Sequence, residues 1–352
     1  MKILQIVCGL GKASGVTTFV ENVVSELRAL GNAVDVCTCA DPTALESHTT
    51  PSSTLVPSSS LPNSSRSGNY DVVHIHCLWT PLLHRASVWA KRRGIPVVWS
   101  THGMTAPLSL RHKWWKKCLP WHIYQKWDLR RAVLVHSTVE LEAKWNADLG
   151  FTRGFIAPLG TSLPNSDIQA FSDSGIHTLL FVGRVYPVKA LDRLIEGFSR
   201  VEVEKRRNWR LRIVGPDQAG HMAELVALCA RLGLSYSTPT MDGEASTSNH
   251  QSTTSPLVEF VGPRFDAELE VEYASCDCLA LVSYTENFGA TVVDAMAHGK
   301  PVITSTKTPW REVADRKWGW WVDNDPETLS QTLRETMSLA SVERAGAFTR
   351  LI

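Results

Sequence analysis

No stretch of the 352 residues approaches the roughly 18 consecutive apolar residues that a helical membrane span needs, so no such span is expected within the chain. Net charge is nearly absent: 36 Lys and Arg stand against 35 Asp and Glu. With no overall basic excess and no recognisable nucleic-acid module, a nucleic-acid partner is not expected. The eight cysteines form no C-x-x-C pair, which removes the usual zinc and redox spacings. Cys37/Cys39 and Cys276/Cys278 have strand spacing, and the cysteines read as buried thiols in a reducing cytoplasm. No cluster of metal-ligating residues stands out, so neither a metal nor a cofactor is expected. The first residues, MKILQIVCG, have one Lys and a short apolar run, which fits a first buried strand better than a signal peptide.

What is present is alternation. Short continuous apolar runs (KILQIVCG, AVDVCTC, DVVHIHCLW, IPVVWSTHG, AVLVHST) are separated by stretches with helical spacing, such as GVTTFVENVVSELRALG. That pattern predicts parallel, doubly wound sheets. It breaks at SLPNSDIQAFSDSG (162–175) and restarts with TLLFVGR, WRLRIVG, LVEFVG, DCLALVS, KPVITST and WGWWVD. The expected fold class is therefore α/β with two Rossmann-like domains, 1–165 and 166–352, facing each other across a cleft. The near-zero net charge hides an asymmetry: 1–165 holds 17 basic and 10 acidic residues, 166–352 holds 19 and 25. Two Ser/Thr/Pro-rich segments, 47–69 and 235–256, have too few large apolar residues to bury and read as inserted mobile loops.

Ligands of such sheets bind at the carboxyl ends of strands, and three segments there carry chemistry. In SYTENFGATVVDAMAHGKPVI, Gly289 permits close backbone approach at the start of a helix over about 290–298. The free N–H groups at that start suit an anion such as a diphosphate. Glu286 stands before it, able to accept from ligand hydroxyls; Asp294 stands one turn in, able to hold a ribose diol. The plainer alternative is that Asp294 serves its helix and Glu286 is a solvated acid. In LLFVGRVYPVKALDRLIEGF, Arg184 and Lys189 place two cations at another strand end, suited to a diphosphate or left as surface bases. In the first half, GLGKASGVTTFVEN puts Gly11 and Gly15 before a helix, and STHG puts His102 at a strand end. An isolated His there is more often structural than catalytic. His74, His76 and His136 lie on strands and read as packed.

Taken in order, SGVTTFVENV, DVVHIH, STHG, FVGR with its R-x4-K continuation, VEFVGP and ENFGATVVDAMAHGKPVI resemble the retaining GT-B glycosyltransferases of family 4, the group 1 type. The matching segments span about residues 1–325, and the family's E-x7-E motif reads here as Glu286-x7-Asp294. The resemblance implies a nucleotide-diphosphate sugar as donor substrate. It places Glu286 at the donor-sugar hydroxyls; Asn287, Phe288 and Gly289 along the sugar and phosphate; and Asp294 at the ribose. Arg184 and Lys189 would neutralise the diphosphate, Gly15 would bring the N-terminal loop to it, and His102 would lie by the donor sugar. Gly262 and Pro263 would meet the base. It further implies metal-independent chemistry and a C-terminal helix crossing back to the first domain, which the residues up to Ile352 do not supply. Two substitutions stand out: Asp294 for the usual Glu, and Ala190 for the glycine that often follows the Lys.

The expected function is sugar transfer to a glycan or lipid-linked acceptor, in surface polysaccharide or lipopolysaccharide assembly, by a cytoplasmic enzyme peripheral on the inner face of a membrane. A non-catalytic sugar-nucleotide scaffold and a GT-B epimerase are the alternatives. The segment 109–131 has seven Lys and Arg, four Trp and one Asp. It suits an anionic membrane surface or, equally, an amphipathic helix with Trp in the core.

Overall fold

The computed structural model describes residues 1–9, 15–38, 55–57, 70–161, 163–164, 175–239, 245–248 and 257–339. The chain divides into two compact units, 1–160 and 161–352.

The first unit is built on seven parallel strands: β1 (Lys2–Val7), β2 (Ala33–Thr38), β3 (Leu55–Pro57), β4 (Val72–His76), β5 (Val97–Ser100), β6 (Leu134–Ser137) and β7 (Gly154–Ile156). Their order is β3-β2-β1-β4-β5-β6-β7, every pair parallel. The apolar run of β1 serves both faces because successive side chains point opposite ways. Ile3 and Val7 meet Phe19, Val20 and Val24 of the helix Gly15–Ala29, while Leu4 and Ile6 meet Ile75, Leu83 and Trp99. The strand order reverses between β1 and β4, the switch point where a crevice opens at the carboxyl ends.

The second unit holds β8 (His177–Val182), β9 (Trp209–Val214), β10 (Tyr236–Pro239), β11 (Ala245–Ser248), β12 (Val258–Gly262), β13 (Cys278–Leu281), β14 (Val302–Ser305) and β15 (Gly319–Val322). Their order is β11-β10-β12-β9-β8-β13-β14-β15, parallel except for β11 against β10. Leu179, Leu180, Phe181, Leu279, Ala280, Val302 and Ile303 are fully buried, as expected of strands covered on both faces. Here the switch point lies between β8 and β13.

A charged network crosses this sheet. The Arg212 guanidinium on β9 donates to both carboxylate oxygens of Glu272, at 2.6 and 2.8 Å, and to Glu259 on β12 at 2.6 Å. Arg210 approaches the other oxygen of Glu259 at 3.4 Å. Glu272 lies on the helix Asp266–Ser275, so the network fastens that helix to the sheet.

Two expectations need correction. The segments read as loops contain strands: the edge strand β3 within 47–69, and the edge strand β11 with β10 beside it within 235–256. Pairing of β3 to β2, of β10 to β12 and of β11 to β10 satisfies their main-chain groups. The rest of both segments lies outside the described residues. Nor are all the thiols buried: Cys118 is exposed and Cys8 half-buried, whereas Cys37, Cys77, Cys229, Cys276 and Cys278 are buried. Cys276 ends a helix rather than sharing a strand with Cys278. Cys39 lies outside the described residues.

Candidate active site

The switch point of the second unit gathers two of the segments marked from sequence. β8 ends at Val182, and Gly183 and Arg184 follow; β13 ends at Leu281, and Ser283 to Gly289 follow. Between them runs an ion pair: Lys189 Nζ lies 2.8 Å from Glu286 Oε2, both side chains about 85% buried (15% and 16% exposed). Ser283 Oγ donates to the same oxygen at 3.0 Å. The Tyr284 N–H donates to the Val188 carbonyl at 2.9 Å, which ties the two loops together. Glu286 is thus no solvated loop acid. It is held by Lys189, 97 positions away in sequence.

Local backbone explains the placement. Gly289 has φ +80° at the N-cap of the helix Ala290–Ala297. A Cβ there would lie 2.8 Å from Leu281 Cδ2, so only glycine fits without a shift. The Phe288 carbonyl accepts from Trp310 Nε1, and the two rings meet edge to face at 5.2 Å. Ala190, where the resemblance puts a glycine, adopts φ +53° and ψ 37° directly after Lys189. The left-handed turn is therefore kept despite the methyl group. Gly215 at the end of β9 packs so closely that a Cβ would lie 1.9 Å from the Gly183 carbonyl oxygen. This sets β8 and β9 backbone against backbone below Arg184. Arg184 itself is exposed and donates to Gln218 Oε1 at 2.7 Å; it does not join the Lys189–Glu286 pair. Gly262, at φ +80°, closes β12 with Pro263 next, and its carbonyl accepts from Gly215 N at 2.8 Å.

Asp294 is engaged inside the unit. Its carboxylate accepts from Thr161 Oγ1 at 2.6 Å and from the Tyr273 hydroxyl at 3.3 Å. Burial raises its pKa above the ordinary carboxylate value, against the pull of these two donors.

In the first unit, four histidines form one group toward the carboxyl ends of β4 to β6, His76 and His136 buried and His74 and His102 half-buried. Gln5 Oε1 accepts from His76 Nε2 at 2.7 Å. That leaves Nδ1 of the neutral His76 to accept from His102 Nε2–H at 3.0 Å. Ser100 Oγ bridges His74 Nε2 and His136 Nδ1, each at 2.7 Å. Glu142 braces the turn holding His102, accepting from Thr101 Oγ1 at 2.7 Å, Gly103 N at 2.6 Å and Thr138 N at 2.8 Å. Cys77, Trp79 and His102 have φ of 70°, 77° and 49°. Left-handed non-glycine residues at adjacent strand ends are a mark of functional loops, and the letters alone did not single out Cys77 or Trp79. Gly15 opens its helix in an exposed position, and a Cβ added to it would meet no atom within 4 Å. The preceding residues 10–14 lie outside the described residues.

Burial holds these imidazoles neutral. It pushes the pKa of His74 down to about 3 and that of His102 to about 4, and lowers His76 and His136 as well. The unfolded chain takes up these protons near pH 6.5, so between about 6.5 and 3 it binds more protons than the fold. Stability should therefore fall as pH drops through that window, by about 1.4 kcal/mol per pH unit for each histidine kept neutral. Denaturant midpoints between pH 7 and pH 4 test this, and a flat profile would contradict it.

The residues missed by sequence are those that hold others: Trp310, Tyr273, Thr161, Ser283 and Gln218. The chain's one Asp-x-Asp spacing, Asp323-Asn324-Asp325, is structural. Asp325 caps the helix Pro326–Ser338 through Glu327 N and Thr328 N, Asp323 accepts from Thr306, and Asn324 donates to the Val282 carbonyl. Among the described residues no three His, Cys, Asp or Glu side chains gather as metal ligands.

Comparison with known proteins gives two family matches. Residues 13–156 match the model of Glycosyltransferase Family 4, and residues 176–338 match that of Glycosyl transferases group 1. A D-inositol 3-phosphate glycosyltransferase of Nocardioides sp. is 27% identical over 381 aligned positions, covering 94% of this chain and 79% of its own length. For further relatives of that name the match spans between 26% and 44% of their length. Anabaena HepE, solved with UDP and glucose, superposes with a TM-score of 0.67 at 19% identity, covering 99% of this chain and 95% of that one. WaaG, described as a glycosyltransferase involved in lipopolysaccharide biosynthesis, gives 0.66 at 17% identity, covering 98% and 92%.

Proposed function

The chain belongs to the group 1, family 4 glycosyltransferases, and on that premise we propose that it transfers a sugar, with retention, from a nucleotide-diphosphate sugar to a hydroxyl of a glycan or lipid-linked acceptor. Its two parallel-sheet units have the GT-B fold. The observation that carries the reading is the Lys189–Glu286 pair at the switch point, beside the glycine-capped helix start at Gly289. As the donor's anomeric bond breaks, negative charge grows on the departing diphosphate. Preorganised positive groups lower that barrier because they need no reorientation during the reaction. Lys189, Arg184 and the N–H groups at the start of Ala290–Ala297 fill this role, with Gly262 and Pro263 at the base. Glu286, its outer oxygen fixed by Lys189 and Ser283, accepts from donor-sugar hydroxyls, with Asn287, Phe288 and Gly289 alongside. His102 and Gly15 keep the roles that their motifs imply.

UDP-sugars are the first donors to test, since HepE was solved with UDP and glucose. The acceptor panel should hold D-inositol 3-phosphate, after the name of the relatives, beside lipid-linked glycans, after WaaG. Surface polysaccharide or lipopolysaccharide assembly is the setting proposed, in the cytoplasm at the inner membrane face. Seven free cysteines among the described residues support a reducing compartment. Among the described residues no helix is long and apolar enough to cross a membrane. The experiment is release of nucleoside diphosphate with a matched donor and acceptor. Arg184→Ala should slow it about 10- to 100-fold; undiminished turnover would remove Arg184 from the leaving-group site. One observation favours a second reading, a sugar-nucleotide-binding scaffold: the engagement of Asp294 by Thr161 and Tyr273. Donor binding without turnover across that panel would decide for it.

A further inference from the structure

Large apolar side chains stand uncovered on one segment of the first unit. Leu108, Trp114, Trp115, Leu119, Ile123 and Trp127 are between 49% and 67% exposed, and all fall within 107–131. The inner side of the same segment is fastened. Gln125 Oε1 accepts from Trp79 N at 2.8 Å, the Tyr124 hydroxyl donates to the Trp79 carbonyl at 2.9 Å, and Asp128 Oδ2 pairs with His84 Nδ1 at 2.8 Å. Leu129 is buried beneath. The outer side therefore cannot roll inward to hide its tryptophans.

The backbone puts these side chains in register. Trp115, Leu119, Ile123 and Trp127 are four apart. On a regular α-helix, four residues turn about 400°, so such a row drifts about 40° per step and about 120° over three steps. Here the helix Trp114–Pro120 joins the helix Lys126–Arg131 through one π-helical turn, Trp121–Gln125. A π turn takes in one extra residue and sets the following helix back by about 100°. The drift is nearly cancelled, and four apolar side chains fall into one row. The same segment carries Arg111, Lys113, Lys116, Lys126, Arg130 and Arg131, none of them buried. Lys116 Nζ lies 5.0 Å from the Trp115 ring and the Arg130 guanidinium 5.6 Å from the Trp127 ring. The one acid of the segment, Asp128, is turned inward.

We propose that this row is a docking face for an anionic lipid bilayer, lying in the interface plane, and that the π turn is what makes the face continuous. The four apolar side chains enter the acyl boundary while the flanking cations meet the head groups. Charge selects this occupant over a second copy of the chain, because two such faces in contact would oppose their own cations.

The test is flotation of the full chain with vesicles of phosphatidylcholine alone and with about 30% phosphatidylglycerol. Binding should require the anionic lipid and weaken at high salt. Trp115→Ser combined with Trp127→Ser should lower the partition coefficient about tenfold or more, with the melting temperature retained. Deleting His122, which is exposed, removes the extra residue together with the π turn, so the two changes of about 100° cancel and the row stays aligned on a regular helix. The folded deletion and His122→Ala should both bind as the parent does. Should the deletion fail to fold, the double serine variant still tests docking. Absence of flotation with anionic vesicles, unchanged binding of the double variant, or a stable dimer that buries the row would overturn the proposal. A folded deletion that loses binding would overturn the part given to the π turn. None of these readouts needs turnover, so their failure leaves the glycosyl-transfer reading untouched.

Discussion

Lys189→Ala should lower sugar transfer by about 100- to 1,000-fold, mainly in kcat, with little loss of donor binding. The side chain lies mostly out of solvent and 2.8 Å from Glu286, so water cannot take over its charge. Its ammonium is a point charge between β8 and the helix Leu191–Ser199, where the proposed function places the departing diphosphate. The variant does two things at once. It removes the cation, and it leaves Glu286 with Ser283 as its remaining side-chain donor there. Glu286→Gln separates these effects: it keeps the shape, frees Lys189 from its partner, and weakens recognition of sugar hydroxyls instead. A Lys189→Ala enzyme whose kcat/KM matched the parent's would remove this residue from the chemistry.

Arg212→Ala should destabilise the second unit by about 3–5 kcal/mol, read from denaturant unfolding. The substitution leaves Glu272, 4% exposed on its side chain, and Glu259, 13% exposed, without the fork that binds them both. A buried carboxylate stripped of its main partner is far costlier than the pair is beneficial, so replacing Arg212, Glu259 and Glu272, together with Arg210, which would otherwise lose Glu259, by apolar residues of similar volume should cost much less than the single change. A single variant that unfolds at the parent's denaturant midpoint would mean that the charges are already solvated. Activity should follow stability here, since the network lies in the sheet beneath the site and touches none of the proposed donor-binding residues.

The central strands were legible in the sequence because parallel strands buried on both faces have few polar residues to interrupt them: LLFV and CLAL leave little else to be, and in WRLRIV the two arginines are outnumbered by four apolar residues. The edges were not. β10 (YSTP) and β11 (ASTS) hold their places by backbone pairing, and no side-chain pattern records that. The site divides in the same way. Gly289, Lys189 and Glu286 could each be marked from neighbours in sequence. Their joining is a tertiary event between positions 97 apart. Trp310 on the Phe288 carbonyl, and Tyr273 and Thr161 on Asp294, are supports that only the fold brings near. The tryptophans of 109–131 were the reverse case. Composition allowed a core or a surface, and burial of Gln125, Asp128 and Leu129 on the opposite side decided that Trp114, Trp115 and Trp127 face out.

The exposed Cys118 gives the chain a chemical handle without mutation. Burial pushes the thiols of Cys37 to about 11 and of Cys77, Cys229 and Cys276 to about 12, so at neutral pH they are neither accessible nor ionised. Cys118 sits one residue from Leu119. A maleimide dye added to the native protein would mark that position first among the described cysteines, and its emission would record where that helix goes when the protein meets a surface.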